Sequence, residues 1–174
     1  MDLFIVTDIH DGHAMMVEKG HRPEGYSQTF IENWQRVVPP TATVIDLGDV
    51  MMGHNQKERL PALLKQLPCA HHILCVGNHD RRKWSEYYDA GFALVCTSIR
   101  IKDIVFSHYP MIPLPDGEVR WSIHGHFHGG GSNHRSQEYE ENTYYRENRH
   151  RYALLEIEST LSPVRLEDFL ATLK

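Results

Sequence analysis

Short motifs of metal-ligating residue types follow one another along the chain: Asp8-Ile9-His10, Gly48-Asp49, Gly77-Asn78-His79-Asp80, Ser107-His108 and Gly125-His126-Phe127-His128. Together they offer the carboxylates of Asp8 and Asp49, the imidazoles of His10, His108, His126 and His128, and the amide oxygen of Asn78. This donor set is too rich in nitrogen for calcium, and magnesium prefers an all-oxygen shell. A structural zinc site would be closed and four-coordinate, often with thiolates. The donors suit two transition ions if one carboxylate bridges them, and manganese, iron, zinc and nickel all remain open. In extended chain, residues i and i+2 point to one face. Asp8 with His10, and His126 with His128, are therefore expected to aim paired ligands at one metal, or at two metals about 3.5–4 Å apart.

Each motif closes an apolar run. Leu3–Thr7, Thr43–Gly48 and Ile73–Gly77 read as strands. Helical spacing follows at Ser27–Val38 with Ser27 as N-cap, at Glu58–Leu67 with Pro61 in the first turn, and at Arg82–Ala90. This β-α-β-α-β rhythm predicts parallel strands with helical crossovers. After Gly91 the texture changes to short strands at Phe92–Cys96, Ile99–Ile101, Ile104–Ser107, Trp121–His124 and Tyr152–Ile157, with a final helix over Leu166–Leu173. A mixed or antiparallel sheet is expected there. Two sheets packed face to face with helices outside satisfy both halves, and the motifs gather at the carboxyl ends of the strands, where such sheets bind ligands. Residues 129–150, glycines followed by a polar run, read as a long loop, either functional or disordered.

Composition bounds the rest. At 174 residues the chain is expected to be one domain over 1–174, and 41% hydrophobic residues suffice for a packed core. A net charge of −5 argues against a whole-surface basic footprint, so charge does not indicate nucleic acid. No apolar run approaches the ~18–20 residues of a membrane span. The start, Met1 to Thr7, lacks the features of a signal peptide. Cys69, Cys75 and Cys96 form no C-x-x-C pair, which fits a reduced, cytoplasmic protein. The 13 histidines stand out, and their position at strand ends is the informative part.

The ordered set resembles the calcineurin-like metallophosphoesterase superfamily, with its D-x-H, G-D, G-N-H-[D/E], H and G-H-x-H pattern, over residues 8 to 128. It is similar in particular to small, uncapped bacterial and phage-type members, through Asp11-Gly12-His13, His21-Arg22-Pro23, Ile31-Glu32-Asn33-Trp34, Ser107-His108-Tyr109-Pro110 and Pro163-Val164-Arg165-Leu166-Glu167-Asp168. The resemblance implies a four-layer α/β/β/α sandwich of two mixed sheets flanked by helices. It implies that Asp8, His10 and His128 hold one divalent ion, that Asn78, His108 and His126 hold a second, and that Asp49 bridges them. His79 would face the substrate, with Asp80 positioning its imidazole. Two transition ions are expected, manganese first, with iron, zinc or nickel as alternatives. Against Asp8 and Asp49 they leave a local charge of about +2, which supplies the attraction for phosphate that the whole chain lacks.

The implied activity is phosphoester hydrolysis, diester before monoester, by in-line attack of a hydroxide generated between the ions, with His79 assisting the leaving group. The substrate is a phosphorylated small molecule or a nucleotide. A nuclease or nucleotide phosphodiesterase on the same site is the alternative, supported by Arg81-Arg82-Lys83. A non-catalytic scaffold is a third reading, disfavoured because no ligand position is missing. His13 and His54 are weaker substrate-facing candidates. Tyr109 and loop 110–119 are candidates for one wall of the pocket, and Tyr139, Tyr144 and Tyr145 are expected either to stack on a base or to pack in a loop cluster.

Overall fold

β1 (Leu3–Val6) alternates as its period of two demands: Phe4 and Val6 face one core, Ile5 the other. The same alternation recurs in later strands, and it builds a sandwich with an inner and two outer apolar layers. The computed structural model describes residues 2–18, 22–115, 118–128 and 134–173. After β1 come α1 (Met15–Glu18), α2 (Tyr26–Val37), β2 (Thr43–Asp46), α3 (Gln56–Leu64), β3 (His71–Cys75), α4 (Trp84–Ala90) and β4 (Leu94–Cys96). Then follow β5 (Ser98–Ile101), β6 (Ile104–Ser107), β7 (Trp121–His124), α5 (His134–Glu140), α6 (Thr143–Glu147), a 3-10 turn at Arg149–Arg151, β8 (Tyr152–Leu154), β9 (Val164–Arg165) and α7 (Leu166–Thr172).

The first sheet has the order β4-β3-β2-β1-β9, parallel except for β9. The second has the order β5-β6-β7-β8, with β5 antiparallel to β6 and the other pairs parallel. Between the sheets, Ile5, Ile45, Leu47 and Cys75 meet Ile104, Phe106, Ile123 and Leu155. On the outer face of the first sheet, α2, α3 and α4 bring Phe30, Trp34, Leu60 and Tyr87 onto Phe4, Val44 and Val95. On the outer face of the second, Tyr145 and Leu114 cover Val105 and Tyr152. The fold is the expected α/β sandwich of two mixed sheets with flanking helices.

Several local expectations change. The segment after Gly91 does not open the second sheet: β4 pairs in parallel with β3 and extends the first. The chain also returns to that sheet through β9, two residues too short to show in a periodicity. Helix α2 starts at Tyr26 after Gly25, whose φ of 74° only glycine adopts without strain, so Ser27 lies inside the helix and is not its cap. Helix α3 starts earlier than expected, at Gln56, which leaves Pro61 in its interior. Within 129–150, residues 134–147 form α5 and α6 rather than a loop; the glycines at 129–131 lie outside the described residues. Tyrosine, not aliphatic periodicity, holds this segment: Tyr139 and Tyr145 have ring centroids 5.9 Å apart, and Tyr145 packs on Tyr152 in a tilted pair at 4.5 Å. Among the described residues no helix is long and apolar enough to cross a membrane.

Candidate metal centre

The carboxyl ends of β1, β2 and β3 deliver Asp8 and His10, Asp49, and Asn78. Those of β6 and β7 deliver His108, and His126 with His128. The paired ligands do not converge by strand alternation, as the spacing suggested. Asp8 and His10 both have φ 52°, Asp49 has φ 57° and His126 φ 69°. Each is a non-glycine residue in the left-handed region, which costs of order 1–3 kcal/mol and persists where the surroundings impose it. The surroundings here are hydrogen bonds between the two strand exits: Asp8 N–H donates to Gly48 O at 2.8 Å and His10 N–H to Asp49 O at 2.9 Å. Glycine makes room nearby. A Cβ on Gly77 would lie 2.2 Å from Asp49 Oδ1, and one on Gly125 would lie 2.5 Å from Asp8 Oδ2.

Two clusters result, Asp8-His10-His128 and Asp49-His108-His126, with one donor atom from each residue of a cluster within 4.8 Å of the others. In the first, Asp8 Oδ1 lies 3.6 Å from His10 Nε2 and 3.3 Å from His128 Nε2, and these two nitrogens are 3.2 Å apart. In the second, His108 Nε2 lies 3.4 Å from Asp49 Oδ2, 3.1 Å from His126 Nδ1 and 3.1 Å from Asn78 Oδ1. Asp49 Oδ2 is also 3.7 Å from His10 Nε2, so one oxygen lies between the clusters. His79 Nε2 is 3.9 Å from that same oxygen, and its ring meets His10 edge-on at 5.3 Å.

These residues fit divalent ions. Among the described residues Asp8 Oδ1 is buried with no hydrogen-bond partner, although Asp8 Oδ2 accepts from Thr7 Oγ1 and from His126 N–H. An orphaned buried carboxylate oxygen aimed at two imidazole nitrogens is a costly arrangement for a purely structural cluster and a normal one for a metal site. His108 Nδ1 must carry its proton, because it donates to Leu47 O at 2.8 Å; that leaves the Nε2 lone pair for coordination. Burial lifts the Asp49 carboxyl to about 7, with the Asp8 carboxylate adding to the rise and His108 opposing it. Burial acts to raise Asp8 too, but the His10 and His128 imidazoles beside it outweigh that and hold the carboxyl well below the usual range.

Two site residues stand outside the five signature motifs: Glu158, and Arg22 of the His21-Arg22-Pro23 stretch. Glu158 Oε1 accepts from His128 Nδ1 at 2.7 Å and from Arg22 Nη2 at 2.9 Å. Arg22, only 2% exposed, also donates to Asp8 O at 2.7 Å and Ile9 O at 2.8 Å. Burial opposes the charge on Glu158, yet His128 and Arg22 bring its pKa down to about 2. Burial likewise opposes a charged His128, but Asp8 and Glu158 lift it to about 10. Glu158 therefore fixes the His128 ring with Nε2 toward Asp8. The Glu158→Ala variant is expected to bind manganese at the first cluster 10–100-fold more weakly by calorimetry. Unchanged affinity at both steps of the titration would remove that role. The rule that found the other ligands applies here as well, since Glu158 follows the carboxyl end of β8 in the second sheet.

Asp80 has a structural task that its motif does not announce. Its carboxylate accepts from the backbone N–H groups of Asp49 at 2.8 Å, Gly77 at 2.8 Å and Val50 at 3.2 Å. The geometry makes it a clamp on the Asp49 turn. Of the basic triplet, Arg81 Nε donates to Asn78 O at 2.9 Å and Arg82 pairs with Glu86. Both serve local structure. His13 does reach the site, its ring 5.3 Å from His10 and 5.9 Å from His79, whereas His54 is exposed.

Comparison with known proteins agrees with this geometry. The family model for calcineurin-like phosphoesterases matches residues 1–169. An uncharacterized protein of Methanocaldococcus jannaschii, MJ1445, is 28% identical over 135 residues, covering 72% of this chain and 69% of its own. A protein of unknown function from Aquifex aeolicus, AQ665, superposes with a TM-score of 0.70 at 21% identity over 98% of both chains. The nuclease MPE of Pseudomonas putida superposes with a TM-score of 0.51 at 18% identity, over 72% of this chain and 60% of that one. With its signature residues gathered into two Asp/His clusters and the family match spanning nearly its whole length, the chain belongs to the calcineurin-like phosphoesterase family.

Proposed function

We propose that the chain is a dinuclear metal-dependent phosphodiesterase, with Asp8, His10 and His128 holding one ion, Asn78, His108 and His126 the other, and Asp49 bridging them. One observation carries this reading: Asp49 Oδ2 lies 3.7 Å from His10 Nε2 and 3.4 Å from His108 Nε2, a single carboxylate oxygen shared by two clusters. Bound divalent ions, manganese first, supply the positive charge that acidifies a water and draws in phosphoryl oxygens. The chain supplies the rest. Asp49, 1% exposed, is held by its neighbours: its Oδ1 accepts the His79 N–H at 2.8 Å, which couples the turn carrying His79 to the bridging side chain. His79 stands with its imidazole partly exposed beside the shared oxygen, where it can give a proton to the departing alkoxide. The name of the Pseudomonas putida neighbour, a nuclease, is consistent with a diester substrate.

The deciding measurement compares an aryl phosphomonoester with a bis-aryl phosphodiester in manganese, nickel, zinc and magnesium. Faster diester turnover is expected; faster monoester turnover would overturn the diester preference, and no turnover of either ester with any metal, despite metal binding, would favour a scaffold. Replacing His79 with alanine is expected to lower kcat 10²–10⁴-fold on a diester with an alkyl leaving group. The loss should be much smaller with 4-nitrophenolate, which leaves without a proton. Equal losses on both esters would remove His79 as the proton donor.

A further inference from the structure

Cys69, Cys75 and Cys96 have no redox spacing along the chain, yet the fold brings two of them together. Cys75 closes β3, Cys96 closes β4, and the two are register partners in a parallel pair. Register partners on adjacent strands stand about 4.8 Å apart, within the Cα separation that a disulfide spans. Both side chains turn to the inter-sheet layer, where their sulfurs lie 3.8 Å apart and share a hydrogen bond. Cys69 packs instead against the core on the outer face of the sheet. Closing the gap from 3.8 Å to a bond of about 2.0 Å falls to side-chain rotation and to β4, the strand that ends the sheet.

The two sulfurs differ in character. Cys75 is buried, and the contact with Cys96, with burial adding to it, pushes its thiol up and keeps it protonated. Cys96 is half-buried beside the exposed Thr97 at the sheet edge. The Cys75 S–H favours a thiolate there and holds the Cys96 thiol below its ordinary value, against burial. A thiolate within reach of solvent, with a second thiol in contact, is how a peroxide-reactive cysteine and its resolving partner are arranged.

We propose that Cys75 and Cys96 form a modification site, oxidised by hydrogen peroxide to a disulfide within the chain and returned to the dithiol by small thiols. The Cys96 thiolate attacks one peroxide oxygen. An S–O bond forms, the O–O bond breaks, and the hydroxide that leaves becomes water with a solvent proton. The sulfur of Cys96 is oxidised by two electrons to the sulfenic acid, and the peroxide is reduced by the same two. Cys75 Sγ then attacks Cys96 Sγ. The S–S bond forms, the S–O bond breaks, and the departing hydroxide takes the Cys75 proton as water. The sum is two thiols and one peroxide giving one disulfide and two waters. Two small thiols reverse it by exchange and leave joined as their own disulfide. The bond ties the edge strand β4 to β3, three residues before Asn78.

The test treats the reduced full-length chain with hydrogen peroxide, in zinc because that ion has no redox chemistry of its own. Titratable thiols in the unfolded product are expected to fall from three to one. Non-reducing peptide mapping should join the Cys75 and Cys96 peptides within one chain, and dithiothreitol should restore all three thiols. In Cys75→Ser the sulfenic acid on Cys96 should persist and be captured by dimedone, whereas Cys69→Ser should still form the bond. The mapping is read on the wild type, so it decides the matter even where serine at the buried position 75 prevents folding. Three thiols surviving the peroxide, a bond between two chains, or a wild-type Cys96 that passes to sulfinic acid without joining Cys75 overturns the site.

Discussion

Replacing Asp49 with asparagine is expected to lower diester hydrolysis by about 10³-fold or more and to reduce bound metal from two ions per chain toward one. Asparagine preserves the shape of the side chain and can still accept the His79 N–H, now 2.8 Å from Oδ1. It lacks the negative charge and turns the oxygen between the clusters into a donor NH₂ or an uncharged amide oxygen. The fold should tolerate this. Burial raises the Asp49 carboxyl to about 7, above its unfolded value, so in the metal-free protein the ionised side chain weakens the fold as pH rises between those two values. Asparagine removes that penalty, and the metal-free variant should melt no lower than the wild type at pH 8. Metal analysis and rates on the same sample check the prediction; full activity with two ions bound would show that Asp49 does not bridge.

Arg22→Met should be the most destabilising single change in this region, lowering the unfolding free energy by about 3–5 kcal/mol. The guanidinium is buried and meets two main-chain carbonyls and the Glu158 carboxylate. Methionine fills much of the space but leaves those acceptors unanswered, one of them charged. Urea unfolding of the metal-free protein measures the loss. Adding Glu158→Gln in the same chain should recover part of it, since the uncompensated charge is then gone. A loss under about 1 kcal/mol for Arg22→Met would mean that water reaches the site and replaces the guanidinium.

The chemistry was more legible than the geometry that delivers it. Asp8, His10, Asn78 and the other candidate ligands announce themselves because donor atoms are written into residue types, and the ends of apolar strands are visible as changes in hydropathy. The left-handed backbone at Asp8, His10, Asp49 and His126 is not visible, since nothing in an aspartate or histidine signals a positive φ; that conformation comes from the pairing of two strand exits distant in sequence. Asp80 shows the same limit. Its neighbourhood in the chain points to His79, and nothing there signals that the fold also brings three backbone amides to its carboxylate. Glu158 stands in a short polar stretch without a motif, and only its place after a strand of the second sheet marks it. Helices α5 and α6 escaped notice because their polar composition hides the tyrosines that dock them.

The two clusters share a property of parentage. Asp8 and His10 come from the first sheet and their partner His128 from the second; Asp49 comes from the first sheet, and His108 and His126 from the second. Neither sheet alone owns a complete donor set, so competence to bind an ion arises only when the halves of the sandwich have docked in register. On the proposed dinuclear reading, metal uptake during refolding is expected to time that docking event, distinct from the formation of either sheet.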